Sequence, residues 1–101
     1  MIIVLARIQT AAGKREQFLE EFQSVVPSVR DEAGCLEYGP ATDAVTDLPT
    51  QQTDEDMVMV VEKWESLDAL KAHLVADHMI AYRERVQGLV VKTDLQILEP
   101  R

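Results

Sequence analysis

Residues 62–78, which read EKWESLDALKAHLVADH, decide the fold because they join an apolar strand pattern directly to a helical one. Side chains alternate between two faces through residues 57–64, as they do along a strand. Ser66 is a favoured N-cap residue, and Asp68 suits the first turn of a helix. This stretch therefore predicts a strand over residues 57–64 and a short helix over residues 67–75.

The N-terminal part of the chain predicts a strand followed by a long helix. Residues 2–10 are short, apolar and β-branched. Residues 14–32 then take a helical period. Pro27 interrupts that pattern and is expected to kink or break the helix. Gly34 is expected to adopt the left-handed backbone conformation just past the end of this helix and so to terminate it. The apolar face of this helix comprises Phe18, Phe22, Val25, Val26 and Val29.

The rest of the chain supplies two more strands and a second helical piece. Leu36 and Tyr38 are expected to share one face of the second strand. Asp77 is expected to cap the second helical piece. The predicted segments are a strand over residues 35–42, a polar connecting loop over residues 43–56, a helix over residues 78–87 and a strand over residues 89–98.

The order β-α-β-β-α-β predicts an α+β, ferredoxin-like fold over one domain, residues 1–101. In this fold an antiparallel sheet carries its helices on one face, so the other face needs a cover. The last strand has apolar residues on both faces, since Leu95 and Ile97 lie on one and Val90 and Leu98 on the other. A second copy of the sheet is the simplest cover, and we expect a homodimer.

Composition excludes several classes of function. The 101 residues carry a net charge of -8, which disfavours nucleic acid and anionic membrane surfaces as partners. Cys35 is the only cysteine, so neither an intrachain disulfide nor a multi-thiolate zinc site can form. No stretch approaches the ~20 apolar residues of a membrane span, and no secretory leader is evident. A cytoplasmic location is the resulting expectation.

Both histidines are candidates for proton transfer. His73 lies at the border of an apolar helical stripe, where it is either a surface histidine bonded to a neighbour or a general base. His78 and Tyr82 are four residues apart on the next helical piece, which fits either a solvated polar edge or part of a site. The two histidines lack a third ligand at a suitable spacing, so no metal site is predicted.

Two aromatic residues are candidates for substrate binding. Trp64 either packs at the end of the sheet or offers a flat surface to an aromatic ring. Tyr38 lies on another strand and could orient a substrate oxygen through its hydroxyl group. Cys35 has no adjacent basic residue, so it resembles a small buried side chain more than a nucleophile. No glycine-rich phosphate loop or dinucleotide fingerprint occurs, and we expect no flavin, nicotinamide or ATP cofactor.

Several short motifs in a fixed order resemble the antibiotic biosynthesis monooxygenase (ABM) domain. Residues 34–38 read GCLEY, residues 62–66 read EKWES and residues 69–73 read ALKAH, with His78 beyond them. The resemblance covers nearly the whole chain. It implies a dimeric α+β barrel of two ferredoxin-like protomers. It also implies a ligand cavity between sheet and helices, lined by Trp64, His73 and Tyr38.

The resemblance implies a cofactor-independent monooxygenase that oxidises quinol-like or phenolic small molecules with O2. His73, or alternatively His78, would remove a phenolic proton, and Tyr82 would join the substrate-binding residues. Haem-degrading relatives carry an asparagine on the first strand, whereas residues 5–9 here read LARIQ, which argues against haem degradation. The alternatives are a non-catalytic dimeric binding or stress-response protein, and an isomerase on the same fold.

Overall fold

The computed structural model describes residues 1–101 and confirms the predicted order of elements. The second helical segment is divided into two pieces, as the sequence predicted. The elements are β1 (Ile2–Thr10), α1 (Arg15–Arg30), β2 (Cys35–Ala41), β3 (Met57–Trp64), α2 (Leu67–Leu74), α3 (Asp77–Val86) and β4 (Val90–Leu98). Residues 42–56 form no helix or strand, as predicted for the connecting loop.

The four strands form one antiparallel sheet in the order β2-β3-β1-β4. β1 and β3 occupy its centre, where Val4 lies opposite Glu62 and Ala6 lies opposite Val60. This order, with the helices as crossover connections, is that of the ferredoxin-like α+β fold. The predicted fold class is confirmed.

The core lies between one face of the sheet and the apolar face of α1. Alternate residues of β1 are buried from Ile2 to Thr10, which is the period of two expected of a strand with one covered face. All five predicted α1 positions are buried, and Phe18 and Val29 have no exposed surface. Burial of each such side chain contributes about 1.5–3 kcal/mol before opposing entropy is counted. This packing holds the first helix against one face of the sheet.

α1 continues without a break through Pro27 and ends at Arg30, so the predicted break is not observed. Proline removes only one backbone N–H from the helix. Val25, Val26 and Val29 flank it and are buried against the core, which favours continuing the helix. Gly34 has a positive φ of 82°, as predicted, but it lies beyond the helix in the turn that leads to β2.

The predicted face of Leu36 was wrong because the ladder between β2 and β3 slips by one residue. Cys35 pairs with Trp64 and Glu37 pairs with Lys63, so Leu36 is the extra residue of a bulge. Leu36 is exposed, whereas Tyr38 is buried opposite Glu62. The bulge separates the two residues and places Tyr38 on the helix side of the sheet.

The helix caps agree with the predictions at α2 and differ at α3. Ser66 caps α2 and accepts a hydrogen bond of 3.1 Å from the backbone N–H of Ala69. Asp77 is the first residue of α3 and makes no capping bond, while Ala76 occupies the cap position.

β4 carries an irregularity at its start, which leaves Val91 exposed. None of the three helices has the length and apolar character needed to cross a membrane.

Candidate active site

A pocket of about 310 Å³ lies between the helix side of the sheet and the helices α2 and α3. This volume is at the lower end of the range of ~300–1,000 Å³ typical of small-molecule sites. Most of its wall is apolar, and Glu62, His73 and Tyr38 are among the polar residues that line it. The lining residues are Ala6, Ile8, Phe22, Tyr38, Val60, Glu62, His73, Leu74, Met79, Tyr82, Arg83, Val90, Thr93 and Leu95.

Glu62 is a carboxyl group on the buried face of the central strand β3, where its neighbours on the same face are apolar. Burial raises the pKa of Glu62 to about 7, and Glu32 adds to the effect by repulsion. The indole N–H of Trp64 donates a hydrogen bond of 2.9 Å to Glu62 Oε1, which opposes the rise in pKa. Glu62 can therefore exchange a proton near neutral pH.

His73 projects from α2 into the core and is only 2% exposed. Its Nδ1 lies 2.8 Å from Glu32 Oε2, and its Nε2 lies 4.0 Å from Glu62 Oε1. Burial lowers the pKa of His73, while the hydrogen bond and charge of Glu32 act in the opposite direction. At neutral pH the imidazole is therefore available as a base.

His78 approaches the same carboxylate from α3. Its Nε2 lies 2.8 Å from Glu32 Oε2, and its side chain is 31% exposed. His78 does not line the pocket. The two histidines are thus joined through Glu32, with His73 on the cavity side and His78 on the solvent side.

Of the three aromatic candidates, Tyr38 and Tyr82 reach the pocket surface and Trp64 does not. Tyr38 and Tyr82 line the pocket, and burial raises the pKa of both hydroxyl groups. Both phenols are therefore protonated at neutral pH and can donate hydrogen bonds. Trp64 is fully buried behind the wall, with its ring centroid 4.7 Å from that of His73. The structure brings Trp64 against the histidine without placing it on the pocket surface.

Sequence reasoning assigned no role to Glu62 or Glu32. Glu62 did carry a signal, because a carboxyl group on the face of Val58, Val60 and Trp64 is unusual for a buried strand. Glu32 carried none, since it follows α1 and is 41 residues from His73 along the chain. Only the folded arrangement shows that it contacts both histidines.

The histidine, carboxylate and thiol groups form neither a metal-binding cluster nor an activated nucleophile. No group of three or more histidine, cysteine, aspartate or glutamate side chains is arranged to hold a metal ion. Cys35 is partly buried, and burial together with the nearby charges of Glu32 and Glu62 raises the pKa of its thiol. A raised pKa disfavours the thiolate, so Cys35 is a poor nucleophile.

Comparison with known protein families identifies the family of the chain. The family model described as "Antibiotic biosynthesis monooxygenase" matches residues 1–85. The chain belongs to this family. A curated ABM relative, "Probable quinol monooxygenase YgiN" of Escherichia coli (strain K12), is 38% identical over 102 residues, covering 99% of this chain and 98% of its own.

Solved structures also share the ABM fold of this chain. The crystal structure of PA3566 from Pseudomonas aeruginosa has a TM-score of 0.82 at 24% identity, covering 99% of this chain and 93% of its own. Rv0793 from Mycobacterium tuberculosis has a TM-score of 0.81 at 23% identity, covering 99% and 94%. At these identities the likeness concerns the fold.

Proposed function

We propose that this ABM protein is a cofactor-independent monooxygenase that oxidises quinols or related phenols with O2. The observation that carries the proposal is the convergence of His73 and Glu62 on one largely apolar pocket. Such a pocket suits a small aromatic ring, and the two polar groups suit its hydroxyl group. The name of the 38% identical relative, a probable quinol monooxygenase, supports the same substrate class.

His73 is the proposed general base. Its Nε2 and Glu62 Oε1 are 4.0 Å apart, which is too long for a hydrogen bond between them. A substrate hydroxyl oxygen can lie ~2.8 Å from both atoms, within the usual hydrogen-bond range. Glu62 in its protonated form would donate a hydrogen bond to that oxygen while His73 takes the hydroxyl proton. Tyr38, on the same wall, would donate to a second substrate oxygen.

The electrons for oxygen reduction come from the substrate. With 1,4-dihydroxynaphthalene as the probe, one molecule of O2 gives one 2-hydroxy-1,4-naphthoquinone and one water. Proton removal leaves an electron-rich anion, which reduces O2 and forms a carbon–oxygen bond at the adjacent ring carbon. Loss of water then leaves one atom of O2 on the ring. The quinol supplies all four electrons, so this reaction requires no separate reductant.

We also propose a homodimer formed through the sheet face opposite the helices. That face presents Ile3 and Leu5 of β1 beside Met59 and Val61 of β3, all partly exposed. Lys63 and Glu37 form an ion pair of 3.1 Å at one end of it. A central apolar patch with charged residues at its margin is the usual composition of a protein interface. A second copy of the sheet would cover this patch.

Oxygen-electrode measurements on a panel of quinols test the enzymatic proposal against a binding role. Uptake above the rate of spontaneous quinol oxidation, with one hydroxyquinone formed per O2, would support the monooxygenase. Tight binding of the same quinols without added uptake would contradict it and favour a binding protein. Lys71→Ala is the control for the His73→Gln variant, because it alters an exposed position on the same helix as His73.

A further inference from the structure

The contacts of Glu32 determine which nitrogen of His73 faces the cavity. Glu32 Oε2 lies 2.8 Å from Nδ1 of His73 and 2.8 Å from Nε2 of His78. A carboxylate oxygen only accepts hydrogen bonds, so both of these nitrogens carry a hydrogen atom. In neutral His73 the free lone pair is then on Nε2, the atom that faces Glu62.

We infer that Glu32 is the positioning residue of the base, and that His78 holds its carboxylate in place from the solvent side. Glu32 selects the His73 tautomer with Nδ1 protonated and stabilises the imidazolium that forms when Nε2 takes a proton. The catalytic part of this inference rests on the proposed function. The tautomer of His73 does not, since it is a property of the resting protein.

The local backbone fixes Glu32 where this role requires it. Its N–H donates to the carbonyl oxygen of Val29 at 2.9 Å, and its own carbonyl oxygen accepts from the N–H of Cys35 at 3.1 Å. These bonds hold the turn between α1 and β2. The Glu32 side chain is 13% exposed, and that of His73 is 2% exposed. Water has little access to a charged His73, so the carboxylate is its principal partner.

Nuclear magnetic resonance of the intact protein with ¹⁵N-labelled histidine tests the tautomer directly. We expect His73 to be protonated at Nδ1 and unprotonated at Nε2 at neutral pH. The variant Glu32→Gln should lose this preference, because an amide can also donate to Nδ1. Asp31→Asn is the matched control, since it makes the same type of change at the exposed neighbouring residue. Protonation of His73 at Nε2 in the unaltered protein would overturn the inference.

Oxygen uptake with 1,4-dihydroxynaphthalene tests the catalytic part. Glu32→Gln should lower kcat by at least ~10²-fold with little change in KM, and should lower the apparent pKa of the base in the pH–rate profile. His78→Ala should have a smaller effect. Equal rates for Glu32→Gln and the unaltered protein would refute the inference, as would a loss for His78→Ala as large as that for His73→Gln.

The two experiments separate the failure of the inference from that of the proposed function. If the unaltered protein shows the expected tautomer but no uptake above the blank, the monooxygenase proposal fails and Glu32 retains only its orienting role. If uptake occurs but His73 is protonated at Nε2, the assignment of Glu32 fails while the proposed reaction stands.

Discussion

His73 Nε2 and Glu62 Oε1 lie 4.0 Å apart on the wall of one pocket, and each of the two side chains is held by a different neighbouring residue. Glu32 contacts the far nitrogen of His73, and the Trp64 indole N–H contacts Glu62 Oε1. The pair is therefore held at a separation that suits a shared substrate hydroxyl group. This relationship is the basis of the proposed chemistry.

Glu62→Gln should change how stability depends on pH. Because the pKa of Glu62 is raised from 4.5 to about 7 in the folded protein, its protonated form favours folding. That contribution is complete below pH 4.5 and is lost as the pH rises through 7. Relative to Glu62→Gln, the unaltered protein should lose roughly 2–4 kcal/mol of unfolding free energy over this interval.

Urea unfolding of both proteins across that pH range measures the difference. Glu65→Gln provides the control, because Glu65 is an exposed glutamate close by in the chain. His73 has a lowered pKa, so its contribution to the free energy of unfolding decreases as the pH falls. This contribution is common to the unaltered protein and Glu62→Gln, and it cancels when the two are compared. A constant difference between the unaltered protein and Glu62→Gln would show that Glu62 titrates as an ordinary exposed carboxyl group.

Gly34→Ala should destabilise the fold more than Gly13→Ala does. Both glycines have positive φ, 82° and 74°, so an alanine at either site is strained by about 1–2 kcal/mol. At Gly34 a new Cβ would also lie 2.7 Å from Cβ of Ala69, whereas nothing lies within 4 Å at Gly13. We expect a total loss above ~2 kcal/mol for Gly34→Ala. Equal losses by thermal unfolding would rule out the close contact between the β2 turn and α2.

Leu5→Asp should convert the proposed dimer to a monomer. Leu5 lies on the open face of the sheet, between Val61 of β3 and Gln96 of β4. A charge there would be buried without a partner in a sheet-to-sheet interface. Sedimentation velocity should give a dimer for the unaltered protein and for Val45→Asp, an exposed loop variant. A stable monomer of the unaltered protein at micromolar concentration would contradict the dimer.

Local patterns were sufficient to predict most of the fold. The period of two in β1 and β3 and the apolar stripe of α1 come directly from residue order, and Ser66 marked the start of α2. The error at Leu36 arose because pairing between distant strands decides which face a side chain takes, whereas the departures at Pro27 and Asp77 are local to helices. The bulge at Leu36 depends on how β2 aligns with β3, which no property of residues 35–41 reveals.

The candidate site was less predictable because its contacts are long-range. His73, Tyr38 and Tyr82 stood out by residue type, and the structure places all three on one pocket. Their catalytic and binding roles stay predictions. Glu32 was missed because it meets His73 and His78 across 41 and 46 residues of chain. Such a contact depends on how α1, α2 and α3 pack together.

Mass spectrometry of the product formed under ¹⁸O2 tests the central claim most directly. With 1,4-dihydroxynaphthalene, the unaltered protein should produce 2-hydroxy-1,4-naphthoquinone that carries one labelled oxygen atom. His73→Gln should form this product ~10²–10⁴-fold more slowly, because it lacks the positioned base. A product without label, or an equal rate of labelled product from His73→Gln, would contradict a His73-dependent monooxygenase.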